Sequence, residues 1–183
     1  MNAFKLSVKL FTESDDFETE AFVPIFHRWI QDQSLADHLL IDVADYAHVA
    51  NGPGSLLVTH EANIHMDHTA GRLGLLYFRK TALPGDFSAK LKQVIEIAQS
   101  IAAKLAKEPE FAGKLKFKTD ELAIRIHDRL NAPNTSETFE AVKSEIESVA
   151  KSVLKVDMVQ LEQTEPEQLF GVDVTTSAKA LNW

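Results

Sequence analysis

A chain of 183 residues with 45% hydrophobic and 25% charged residues has the composition of a globular protein that can bury one sizeable core, which excludes disordered and fibrous classes. A net charge of −8 opposes nonspecific binding to a phosphate backbone, which needs a positive surface to displace counterions, so no nucleic-acid partner is expected. The absence of cysteine excludes disulfides, thiolate nucleophiles and thiolate metal sites, and fits a reducing, cytoplasmic compartment.

Residues 5–11 alternate apolar and polar side chains, the period of a half-buried strand. Lys5 and Lys9 interrupt the apolar run that a signal peptide would need, and no later segment reaches membrane-spanning length, so no membrane partner is expected. An acidic connector containing Ser14, Asp15 and Asp16 leads to Phe22, Ile25, Phe26, Trp29 and Ile30 at helical spacing. Pro24 falls early in that stripe, where a helix has no internal amide bond to lose.

Over residues 39–80 the pattern changes to three apolar, β-branched or aromatic runs separated by turn formers at 51–54 and 68–71, which predicts an antiparallel meander. After Pro84 and Gly85, a helix places Phe87, Leu91, Val94, Ala98, Ile101 and Leu105 on one face. A short hairpin is expected over 115–118 and 122–129. A third helix starts at Pro133 and Asn134, with Asn134 as cap and Glu137 reaching back to it, and buries Phe139, Val142, Ile146, Val149 and Val153. Strands over 156–161 and 169–175 complete one domain spanning residues 1–175, and 176–183 form a loosely held tail.

The expected fold is α+β, an antiparallel sheet with helices packed on one face in the order βαβββαββαββ. Two βαββ-type halves of similar shape suggest either one continuous sheet or two duplicated modules around a groove. The lysines at 104, 107, 114, 116 and 118 are the one basic cluster, and Glu108 and Glu110 interrupt it, so it reads as solvated surface.

Function concentrates in residues 42–80. With 51–54 as the first loop, pairing places Ala50 opposite Ser55, Ile41 opposite Ile64 and Asp45 opposite His60. With 68–71 as the second, Met66 meets Leu73, Ala62 meets Tyr77 and His60 meets Arg79. Asp45, His60 and Arg79 then form one row on the inward face, with facing side chains about 5 Å apart at Cβ. Ionisable groups on an apolar face must satisfy one another or line a pocket. A carboxylate beside an imidazole makes a general base, and Arg79 can hold an anionic group.

The opposite face carries Asp42, Tyr46, His48, Thr59, Glu61, Asn63, His65 and Lys80. His60 and His65 point to opposite sides of a strand and His68 lies in a turn, so no metal site is expected. Residues 127–131 are polar enough to line a groove. No phosphate loop, dinucleotide fingerprint or nucleophile elbow occurs, and no cofactor is expected.

Three functions fit this reading. The first is a small-molecule binding or sensing domain for an anionic ligand, held by His60, Tyr77, Arg79, Glu61 and Lys80. The second is a cofactor-independent acid–base enzyme in which Asp45, His60 and Arg79 are catalytic and His60 is the base. The third is a structural or adaptor homodimer without a pocket.

Overall fold

Three apolar stripes become three helices among the described residues, which in this computed structural model are 5–49 and 52–177. Helix α1 spans Val23–Asp32 with Pro24 in its first turn, α2 spans Phe87–Ala106, and α3 spans Ser136–Leu154. Asp86 caps α2 by accepting a hydrogen bond from the Ala89 amide at 2.8 Å. Thr135, not Asn134, caps α3 through the Thr138 amide. Asn134 instead donates to the Glu165 carbonyl at 2.7 Å, so its amide ties the helix start to a distant loop. None of the helices is long and apolar enough to cross a membrane.

The strands are β1 (Leu6–Phe11), β2 (Leu40–Asp45), β3 (Ser55–Thr59), β4 (Ala62–Asp67), β5 (Gly74–Arg79), β6 (Glu121–Ile126), β7 (Gln160–Gln163) and β8 (Gly171–Thr175). They form one continuous antiparallel sheet in the spatial order β2-β3-β4-β5-β1-β6-β8-β7. The fold is α+β, with chain order βαββββαβαββ. Two expectations about that order change. The run 55–67 is a two-residue hairpin rather than one strand, because the Thr59 hydroxyl donates to the Ala62 carbonyl and accepts from the Ala62 amide, closing a turn at His60 and Glu61. The segment 115–118 is not a strand: Phe117 makes one isolated bridge to Thr12, while Leu115 and Phe117 are buried anchors.

Register runs Leu57, Ile64, Tyr77, Val8, Ile124 and Val172 across neighbouring strands, and this row is buried against the helices together with Leu6, Leu10 and Met66. Ile25, Phe26 and Trp29 of α1, Leu91, Val94 and Ala98 of α2, and Val142 and Ile146 of α3 supply the other half of this core.

The opposite face of the sheet holds a buried charge pair. The Lys9 ammonium donates to Asp67 Oδ1 at 2.6 Å and to the Arg72 carbonyl at 2.8 Å. Burial pushes the Lys9 pKa below the usual amine range, against the pull of Asp67. The side chain crosses Gly74, where a Cβ would come within 2.6 Å of the Leu10 carbonyl oxygen and 2.7 Å of Lys9 Cε.

Candidate ligand-binding site

The hairpin at 60–61 rearranges the expected polar row. Asp45 faces Ser55 rather than His60, and its carboxylate turns back to accept from the Ala47 amide at 2.9 Å. His60 is exposed in the turn. Ala62, not His60, faces Arg79, and Tyr77 faces Ile64 rather than Ala62. Asp45, His60 and Arg79 are therefore not assembled, because the turn shortens β3 and slides β2 along it. The expected pairing of Ala50 lies outside the described residues.

The strand alternation did place Tyr77 and Arg79 on the helix-covered face, two residues apart at the end of β5. Tyr77 is fully buried, and its hydroxyl lies 2.9 Å from His38 Nε2. His38 Nδ1 is 3.0 Å from the Ala36 carbonyl, which can only accept, so Nδ1 carries the proton and Nε2 accepts from Tyr77. Arg79 Nη1 donates to the same phenol oxygen at 3.3 Å. The donors thus run from Arg79 through Tyr77 and His38 to the backbone. Burial pushes the Tyr77 phenol above its usual range, against the nearby Arg79 charge, which keeps it protonated and able to donate.

Beside this chain lies a cavity of about 440 Å³. Residues 34–38, connecting α1 to β2, line it on one side, Gln93, Ile97, Ser100, Ile101 and Lys104 of α2 on the other, and Arg79 of β5 lines it as well. Gln93, Ile97, Ser100 and Lys104 recur at helical spacing beside the core stripe, to which Ile101 belongs. Asp37 sits at the cavity with φ 60°, a left-handed conformation that Asp tolerates better than most residues. Ser34 Oγ is buried without a hydrogen-bond partner among the described residues.

The walls are braced from behind. Trp29 Nε1 donates to Glu108 at 2.6 Å and Arg28 bonds both Glu108 and Glu110 at 2.5 Å, which fastens α1 to the chain just beyond α2. The two glutamates that interrupt the basic cluster are thus used to hold the cavity in shape. Lys104 lies 5.1 Å from the centre of the Trp29 ring.

Among the described residues neither Arg79 nor Lys104 forms an ion pair with a carboxylate. Arg79 Nε donates instead to the Thr81 carbonyl at 3.2 Å. Two cations therefore face one cavity with a single lining carboxylate, Asp37. The arrangement is electropositive within an acidic protein.

Glu61 and Lys80 brace the hairpin. Glu61 accepts from the Leu39 amide at 2.9 Å, and Lys80 donates to the Thr59 carbonyl. Burial pushes the Glu61 carboxyl up, but the Leu39 amide and the nearby His38 and His60 pull it below the usual carboxylate range. No three His, Asp or Glu side chains converge on a point that could hold a metal ion among the described residues. Sequence reasoning missed His38, Ser34 and Lys104. The first two lie in an irregular connection with no periodicity to mark them, whereas Gln93, Ser100 and Lys104, polar residues along one side of α2, were a readable signal. Comparison of the chain with known protein families, with curated proteins and with solved structures finds no match.

Proposed function

We propose that this chain is a small-molecule binding domain that takes an anionic ligand into the cavity between residues 34–38 and α2. Arg79 and Lys104 bind the anionic group, and Tyr77 and His38 hold Arg79 in place. The observation that carries this reading is that two cations without carboxylate partners line one cavity of about 440 Å³, within the size range of metabolite sites. A site of this charge in a protein of net charge −8 draws anions locally that the rest of the surface repels.

The test is a thermal-shift screen of inorganic phosphate, sugar phosphates and small mono-, di- and tricarboxylates, followed by calorimetry on the best binder. At one hundred times Kd a ligand adds about 2.7 kcal/mol of stability, or roughly 5–10 °C in Tm for a chain of this size. Arg79→Gln is expected to abolish that shift while leaving the unliganded melt within about 2 °C of wild type. A screen in which no anion raises Tm, or an equal shift in Arg79→Gln, would contradict the proposal.

A second reading, an adaptor homodimer, is favoured by one observation: Leu39 and Ile41, beside and on the edge strand β2, are 59% and 55% exposed. Light scattering at micromolar concentration separates it from the first. A dimeric mass that Ile41→Lys converts to a monomer supports it, and a monomeric wild type removes it.

A further inference from the structure

The sheet face opposite the helices carries a second cavity, of about 260 Å³, unconnected with the anion site. Ser7, Arg125 and His127 line one part of it and the Lys9–Asp67 pair another, and Leu76 and Ala123, on either side of Lys9 in the sheet, add an apolar floor. Ser7 Oγ lies 2.8 Å from His127 Nε2. In the sheet Ser7 pairs with Arg125 on one side and with Phe78 on the other. Directly opposed Cβ atoms of antiparallel strands are about 4.5–5.5 Å apart, so hydroxyl, imidazole and guanidinium share one small patch. The Phe78 ring packs on the imidazole with centroids 4.5 Å apart, which fixes the plane of His127.

Burial, with the charges of Arg125 and Lys5 beside it, holds His127 below the usual imidazole range, so it is an unprotonated base at neutral pH. In the tautomer that carries the proton on Nδ1, Nε2 accepts the Ser7 hydroxyl hydrogen at 2.8 Å, the arrangement that activates a serine. Arg125 uses Nη1 for both of its bonds, to the Ile124 carbonyl and to Asp173, which leaves its other N–H groups for a further acceptor.

We propose that Ser7 is a nucleophile activated by His127, and that the pair hydrolyses small carboxylic esters whose acyl group lies on the Leu76 and Ala123 floor. Ser7 Oγ forms a bond to the carbonyl carbon as its proton passes to His127 Nε2. Arg125 takes the negative charge that develops on the carbonyl oxygen. Collapse breaks the bond to the leaving alkoxide, which receives the proton from His127, and leaves an acyl ester on Ser7. Water then attacks that ester with His127 as base, releasing the carboxylic acid and restoring Ser7.

The experiment treats the full chain with a fluorophosphonate probe, locates the adduct by peptide mass spectrometry, and follows hydrolysis of 4-nitrophenyl acetate. The adduct is expected on Ser7, and turnover should fall at least about 100-fold in Ser7→Ala and in His127→Gln. A folded wild type with no adduct on Ser7, or turnover unchanged in either variant, overturns the proposal. Should Ser7→Ala fail to fold, Ser7→Cys keeps the side-chain size. Its alkylation by iodoacetamide at neutral pH should be at least about 10-fold faster than in Ser7→Cys/His127→Gln, and equal rates would also overturn it.

Discussion

Arg79 is anchored by two neutral acceptors, the Thr81 carbonyl and the Tyr77 hydroxyl, so its position is fixed while its charge stays uncompensated. Tyr77→Phe removes the acceptor for Arg79 and the donor to His38 together. It is expected to cost about 1–2 kcal/mol in urea denaturation and to weaken ligand binding roughly 10-fold in calorimetry, because Arg79 loses its preorganisation. Arg79 and Tyr77 were legible in the sequence because strand alternation fixes which face a side chain takes, whatever its partner strand. His38 was not, since only the folded connection brings it to the phenol.

Lys9 and Asp67 give a second test at this scale. Asp67→Ala leaves an ammonium buried without its partner, and should destabilise by about 3–5 kcal/mol. The double variant Lys9→Met/Asp67→Leu should recover most of that loss in the same denaturation experiment. His65 and His127 add a pH dependence. Burial lowers both below 6.5, so the unfolded chain binds more protons than the native one in the window beneath that value. Their contribution is complete above pH 6.5 and is lost as pH falls from 6.5 toward the folded values. Glu61 and Glu121, held below 4.5, add a second loss as pH falls from 4.5 toward their own folded values. Denaturant midpoints measured from pH 7.5 downward should therefore decline in two stages, and His127→Gln should flatten the upper one.

The helices were the most readable elements, because each has an apolar stripe at helical spacing and two of them, α2 and α3, have a side chain that caps the start. Asp86→Ala removes the cap of α2 and is expected to cost about 1 kcal/mol. The meander was read as three strands because His60 and Glu61 carry no glycine, proline or asparagine to announce a turn. The Thr59 hydroxyl closes it instead, and a threonine in a β-branched run looks like any other strand residue. That one unseen turn removed Asp45 and His60 from the site. The loop between β2 and β3 ends at Gly54, whose φ is 63° and whose Cβ, if added, would collide with the Met66 carbonyl oxygen. Gly54→Ala should cost about 2–3 kcal/mol or more by thermal unfolding, since neither the backbone angle nor the contact can relax cheaply.

At the scale of the molecule, an antiparallel sheet with helices on one face was legible from the alternation of element types, but its strand order was not. The first strand lies between β5 and β6, pairing with residues far along the chain. Periodicity reports which face a strand buries and says nothing of which strand lies beside it. That order nevertheless decides the site, because it sets the end of β5 beneath the α1–β2 connection and beside α2, where Arg79, His38 and Lys104 meet. Titration of isotope-labelled protein with citrate or inorganic phosphate, followed by amide chemical shifts, examines that meeting point directly. Saturable shifts confined to residues 34–38, 77–81 and 93–104, and absent in Arg79→Gln, are expected. Saturable shifts elsewhere that leave these segments unmoved, or shifts that persist in Arg79→Gln, would contradict the proposed site.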